Sequence, residues 1–490
     1  MWPKKEGKTV KQNVVLSFLA TLLWHISPYQ AGTDGVALAA SNATETPSRT
    51  AVVLNVSELD DLIARMVREK HLVGLSVGVM QEGKVVLAKG YGVRSLTTND
   101  PVTPETLFAI GSITKQFTCA ALLLLAEEGK LSLDDHVAKY AAGLTRAADI
   151  TLLDLGQHVS GYHDYYPLDF VDRPMAQPRA VDEIIHDYGS RPLDFEPGAR
   201  WSYSNTGYLI LGRVVERVSG EPFGQCLERR ILTPLGLSHT RYEPQRDEAG
   251  LAQGYTPFGL GTPQPSIAEG EGWVGSAGGL WSTPRDLLAW DLALMEGKVL
   301  SAASFGTMTT SRRLSDGRSS GYGCGLSIRD QGTALILAHG GAVSGFNAWN
   351  AMLPATRSAV VILANMDFAL SQSLREAILT KVLPSTDAPA VQGLPAKEAA
   401  LALLRRLREG KIDRKGLGDE FAAYLTPGRL SAAAKSLASA EVKELEVISA
   451  GERGGMEVTT IRFKLGDVPA EALMYRTPDG KIRQFLFYRQ

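Results

Sequence analysis

Between Val56 and Glu69 the apolar residues Leu59, Leu62, Ile63 and Val67 recur at helical spacing, which predicts an amphipathic helix. Two short apolar stretches follow, Leu75 to Val79 and Val85 to Lys89. They are separated by Gln81-Glu82-Gly83-Lys84, whose glycine suits a hairpin turn. A helix leading into paired strands predicts an α/β or α+β body. From Ser112 to Gly129 the chain is apolar almost all round (Phe117, Ala120 to Ala126) and stops on glycine, so it predicts a helix buried in the protein centre with Ser112 at its N-terminus. Gly207 to Val218, ended by Gly220, predicts another helix, and Thr283 with Pro284 and Asp286 starts a third. Ala334 to Ala338 and Ala359 to Leu363 predict core strands.

The pattern changes between Leu383 and Pro395, where Pro384, Pro389, Gly393 and Pro395 give the composition of a linker. Beyond it, Ala396 to Glu409 and Glu420 to Leu425 read as helices. Val442 to Ser449, Glu457 to Lys464, Ala472 to Arg476 and Lys481 to Tyr488 read as strands. The expected organisation is a main domain over residues 51–385, a linker over 386–395 and a small α+β accessory domain over 396–490. A chain of 490 residues is long enough for this division.

The N-terminus adds a location. Lys4, Lys5, Lys8 and Lys11 precede an apolar run from Val14 to Ile26, and Ala37-Leu38-Ala39 fits a small-residue cleavage site. Residues 1–39 read as an export signal, which implies a periplasmic or secreted protein with no stable membrane span after cleavage. The apolar run is shorter than the roughly 20 residues that cross a bilayer. A net charge of -2 provides no basic field for nucleic acid, so no nucleic-acid partner is expected. Cys119, Cys226 and Cys324 are too few for a disulfide framework or a zinc site. They read as small buried apolar residues, with a single bridge among them compatible with the count.

Ser112-Ile113-Thr114-Lys115 is the first element with chemistry in it. Acyl transfer by serine needs an activated hydroxyl, a base and donors for the oxyanion. Residues three apart share a helix face, so the Lys115 amine can reach the Ser112 hydroxyl, and burial would depress the lysine pKa toward a useful value. Tyr203-Ser204-Asn205 lies within Pro197 to Tyr208, and His339-Gly340-Gly341 follows the strand from Ala334. Ser160-Gly161-Tyr162, Gly275 to Leu280 and Gly321 to Gly325 stand between or beside them in order.

On these motifs the chain resembles the penicillin-recognising serine hydrolases, the class C β-lactamase branch, across most of residues 51–385. The resemblance implies an antiparallel central sheet with a helical subdomain, Ser112 as the acylated nucleophile, and Tyr203 sharing the general-base role with Lys115. It implies that Asn205 holds Lys115 and the substrate amide. It also implies that the edge His339-Gly340-Gly341 faces the bound acyl group, with the Ala342 N–H as oxyanion donor beside that of Ser112. The substrate would be a small molecule or peptide with a scissile acyl bond: an ester, a D-amino-acid peptide or a β-lactam. No cofactor and no metal is called for. The competing function is a slow-acylating or non-catalytic sensor of cell-wall peptide.

Two departures from the family pattern stand out. His339 occupies the place of a lysine common in true β-lactamases, which replaces a fixed positive charge by a group expected to titrate near neutrality. Gly156, in Asp154-Leu155-Gly156-Gln157-His158, replaces one of a leucine pair. His158 and His163 read as structural, because no metal-ligand spacing joins them to the nearby carboxylates.

Overall fold

The computed structural model describes residues 54–245, 247–258, 261–330, 334–382, 389, 391–438, 441–453 and 455–489. The export signal expected over residues 1–39 and residues 386–388 and 390 of the expected linker lie outside the described residues. Among those described, no helix is long and apolar enough to cross a membrane.

The predicted first helix is α1, Val56–Glu69, capped by the Asn55 side chain, and it buries Leu59, Ile63 and Val67. Strands β1 (Gly74–Gln81) and β2 (Lys84–Gly92) form the predicted hairpin. Glu82 and Gly83 both take positive φ at its turn, the geometry that suits the twist of a tight hairpin. The buried helix α2 spans Thr114–Glu127 and is preceded by a 3-10 turn at Gly111–Ile113, so Ser112 sits one turn before the regular helix. Further along come α3 (Asn205–Ser219), ended by Gly220 in the left-handed region, and α4 (Pro284–Met295), capped by Thr283. Strands β3 (Ser327–Asp330), β4 (Leu335–Val343), β5 (Phe346–Leu353) and β6 (Ser358–Ala364) complete the main sheet, and α5 (Gln372–Val382) follows.

The main sheet is antiparallel throughout, in the order β2-β1-β6-β5-β4-β3. Period-two alternation divides its side chains between two cores. Leu75, Val77, Val79, Val360 and Ile362 pack with α1 and α5, while Val361, Leu363 and Met352 face the helical side with α2, α3 and α4. Gly78 is needed for that second packing, since a Cβ there would come within 2.8 Å of Pro284 Cβ and 2.9 Å of Leu288 Cδ1.

A third core lies within residues 396–489. It joins α6 (Ala396–Arg408) to a four-stranded antiparallel meander of β7 (Val442–Arg453), β8 (Met456–Leu465), β9 (Val468–Arg476) and β10 (Ile482–Arg489). Residues 427–438 add a helix that the sequence pattern did not reveal. Its apolar content is mostly alanine, which gives a weak periodic signal.

Cys119 and Cys324, both buried, form a disulfide with Cα atoms 5.9 Å apart, the single bridge that the cysteine count left open. Cys226 is free and buried. The bridge ties α2, one turn past Lys115, to the loop before β3. It also accounts for Gly156, because a Cβ at that position would lie 2.6 Å from Cys324 Sγ. We expect Gly156→Ala to lower stability by about 1–3 kcal/mol through overpacking against the bridge. In a Cys324→Ala background the same change should have a smaller effect, as read from denaturant midpoints in the four-protein cycle. Additive losses would show that the sulfur is not what excludes a side chain there.

Candidate active site

The turn Gly111–Ile113 is held between two partners. Ile110 N donates to Leu280 O (3.0 Å), and Leu280 N donates to Thr114 Oγ1 (3.1 Å). Neither this turn nor the start of α2 uses a side-chain cap, so the Ser112 hydroxyl is not engaged in capping. One helical step on, Lys115 is fully buried. Its Nζ donates to Ser112 Oγ (3.0 Å), Asn205 Oδ1 (2.7 Å) and Ala277 O (2.8 Å).

Burial pushes the Lys115 ammonium down to about 7, partly offset by the negative charge of Asp164. A neutral amine at that position retains two N–H donors, enough for Asn205 and Ala277, and turns its lone pair toward the Ser112 hydroxyl. Gln116 anchors the same turn of the helix from behind. Its Nε2 donates to Asn350 Oδ1 on β5 (2.9 Å), and its Oε1 accepts from Trp290 Nε1 on α4 (3.0 Å).

Tyr203 and Asn205 come from the segment that opens α3. Ser204 caps that helix through Gly207 N, and the Ser204 N–H donates to His158 Nδ1 (3.1 Å). The His158 ring is buried, well below its ordinary pKa and therefore neutral. It lies 4.3 Å from the Tyr203 ring and 5.0 Å from that of Tyr208, centroid to centroid. Lys115 Nζ stands 4.8 Å from the centre of the Tyr203 ring. The Tyr203 hydroxyl is hydrogen-bonded to Ser112, yet burial keeps the phenol well above its ordinary pKa.

The strand edge beside Ser112 depends on where β3 stops. Its pairing with β4 runs only from Leu335 to Ala338, leaving the outer side of residues 339–343 without a strand partner. The Ile110–Ser112 segment packs against that free edge. A Cβ on Gly341 would lie 1.9 Å from Ile110 O, and one on Gly111, at φ +49°, would lie 2.7 Å from Ala342 N. Glycines are required at both positions, and they bring the Ala342 N–H alongside the Ser112 turn. At Gly340 a Cβ would meet only Ala348 O, at 3.9 Å, so that position is open.

His339 differs from expectation in two ways. It does not end its strand, because β4 continues through it to Val343 before turning at Ser344 and Gly345. Nor does it titrate near neutrality. Burial, together with the charge of Lys115, lowers it to about 3. Both ring nitrogens are engaged, Nδ1 with Gly340 O (2.5 Å) and Nε2 with the Tyr322 hydroxyl (2.8 Å). Nδ1 therefore carries the proton, and Nε2 accepts from Tyr322. The side chain is neutral and held within the protein through both ring nitrogens.

Several contributors had no signal strong enough to identify them in advance. The Ala277 carbonyl lies within the segment Gly275 to Leu280, which reads only as a matching run. Tyr322 lies in Gly321 to Gly325. Asp164, which accepts from Asn205, sits in an irregular loop where no periodic pattern distinguishes one carboxylate from another.

Comparison with known proteins gives consistent findings. A family model described as Beta-lactamase matches residues 59–381. The chain is 32% identical over 246 residues to a Beta-lactamase of Providencia stuartii, covering 50% of this chain and 61% of that one. It is 28% identical over 299 residues to a D-aminopeptidase of Brucella anthropi, covering 60% of this chain and 56% of that one. Each match thus spans less than two thirds of the relative's own length. The fold is also similar to that of the octameric penicillin-binding protein homologue from Pyrococcus abyssi. That likeness has a TM-score of 0.59 at 24% identity and covers 89% of this chain and 96% of the other.

Proposed function

The chain belongs to the β-lactamase family, and from that premise we propose that it is an exported serine hydrolase that forms an acyl-enzyme on Ser112. The observation that carries this reading is the fully buried Lys115 amine, 3.0 Å from Ser112 Oγ and lowered to about 7. Neutral Lys115 takes the Ser112 proton as the oxygen attacks the acyl carbon. The N–H groups of Ser112 and Ala342 receive the oxyanion. Tyr203 remains a phenol in the resting enzyme, which suits it to relay the proton from Lys115 to the leaving group as the bond between that group and the acyl carbon breaks, rather than to begin the reaction as a phenolate. Water then attacks the ester, with Lys115 accepting its proton and returning it to Ser112 Oγ as the bond from that oxygen to the acyl carbon breaks and the acid leaves.

For substrate, the neutral and fully bonded His339 removes the cation that would receive a substrate carboxylate. Short esters and D-amino-acid amides therefore suit the site better than penicillins or peptides with a free C-terminus. The likeness to a D-aminopeptidase supports the amide arm of this reading. The disulfide supports export, because such bridges persist in oxidising compartments. Residues 396–490 are read as an accessory domain, since each residue given a chemical role precedes them.

The experiment is a panel of p-nitrophenyl esters, D- and L-amino-acid amides and a chromogenic cephalosporin, assayed for kcat/KM. We expect turnover of the first two classes, with D preferred over L, at least about tenfold above that of the anionic β-lactam, a difference near 1.4 kcal/mol. Faster β-lactam hydrolysis would overturn the substrate assignment. Slow labelling without turnover would make the protein a slow-acylating sensor.

A further inference from the structure

We propose that Asp164 is a positioning residue that sets the orientation of the Asn205 carboxamide and, by its charge, the pH at which Lys115 becomes a base. The inference rests on Lys115 serving acyl transfer at Ser112.

A carboxamide side chain can point either way round, and here the choice matters. Asn205 turns Oδ1 to Lys115 Nζ (2.7 Å) and Nδ2 to Asp164 Oδ1 (3.2 Å), while its backbone N–H donates to the same Asp164 oxygen (2.9 Å). Tyr166 N adds a further donor to that oxygen (3.2 Å). An ionised carboxylate only accepts and an ammonium only donates. With Asn205 reversed, Nδ2 would face Lys115 donor to donor, and Oδ1 would face Asp164 acceptor to acceptor. Asp164 therefore selects the arrangement in which Lys115 finds an acceptor. The carboxylate, the amide and the amine form one polar chain ending at Ser112.

The same chain carries charge. Burial raises the Asp164 carboxyl above its ordinary range, and the donors from Asn205 and Tyr166 together with Lys115 pull it back. In turn Asp164 holds Lys115 above the value that burial alone would give. The other titratable groups facing Lys115 are His158, His339, Tyr203 and Tyr208. The two imidazoles are shifted down and the two phenols up, so all four are neutral through the pH range of assay. On its outer side Asp164 lines a cavity of about 140 Å³ with His163, Tyr166, Asp172, Tyr188 and Arg191. His163 is paired with Asp194 (3.1 Å), and burial raises the phenols of Tyr165 and Tyr166.

The test uses the full-length protein labelled with carbon-13 at lysine Cε. The Lys115 resonance is assigned by its loss in Lys115→Met, and its titration is followed in wild type and in Asp164→Asn. The asparagine keeps size and one acceptor but removes charge. We expect the Lys115 midpoint, and with it the acid limb of kcat/KM for a neutral ester, to move down by about one pH unit. Asp164→Ala, which also releases the amide, should lose a further factor of about ten in kcat with KM little changed. An unchanged Lys115 midpoint in Asp164→Asn would overturn the inference. The carbon-13 titration needs no turnover. A wild type without hydrolysis would therefore count against the serine-hydrolase reading alone, and a shifted or unshifted midpoint would still decide the role of Asp164.

Discussion

Ser112→Ala is expected to lower turnover by a factor on the order of 10⁴ or more and to abolish covalent labelling, with the fold retained. The size of the effect follows from chemistry: no other group among the described residues is placed to both attack and accept from Lys115. Its small effect on stability follows from geometry. The hydroxyl caps neither the 3-10 turn nor α2, so its removal should cost about 1 kcal/mol or less. Paired measurements of ester turnover and thermal midpoint check both halves. Turnover within tenfold of wild type would mean that a different residue carries the chemistry.

The second large effect is at Lys115. Lys115→Ala and Lys115→Arg should each remove about 10²- to 10⁴-fold of kcat, the range of a general base. The arginine variant is the more informative, because it keeps a cation that cannot give up its proton near neutrality. If Lys115 acted only as a fixed charge, arginine would rescue activity. In the wild type, Lys115 is lowered to about 7. The inactive ammonium dominates below that value and the active amine above it, so turnover should rise with pH through about 7. Lys115→Ala also strips Asn205 Oδ1 and Ala277 O of a buried donor, so a stability loss of about 1–3 kcal/mol should accompany it. In the proposed mechanism Ser112, Lys115 and Tyr203 act as one unit, so Ser112→Ala/Lys115→Ala should be no slower than the slower single variant.

Elements whose burial follows a clean period were readable from sequence. The first helix, the β1–β2 hairpin and the buried α2 all carry their apolar positions at spacings of 3.6 or 2, or in an unbroken run. Glycine marked the ends of helices for a physical reason, as at Gly220 in the left-handed region. It misled at His339-Gly340-Gly341, where the glycines accommodate Ile110 and the Ser112 turn within a continuing strand instead of ending it. The state of His339 was unreadable for a related reason. Its pKa follows from burial and from the charge of Lys115, distant in the chain, and neither is a local property. The Cys119–Cys324 bridge spans 205 residues, and the meaning of Gly156 became clear only with that bridge beside it. Ser112, Lys115, Tyr203 and Asn205 are close together in space, as their motifs suggested. The carboxylate behind the asparagine could not be singled out, because Asp164 belongs to a loop whose course is set by tertiary contacts.

The central claim is a covalent acyl intermediate on Ser112. The most direct measurement is intact-mass and peptide-mapping analysis of the protein after brief reaction with an activated p-nitrophenyl ester and acid quench. The account predicts one acyl group per chain, mapped to the peptide containing Ser112 and absent from Ser112→Ala. An adduct on any other residue, or rapid turnover with no trapped adduct in wild type or in a variant slowed in deacylation, would contradict it.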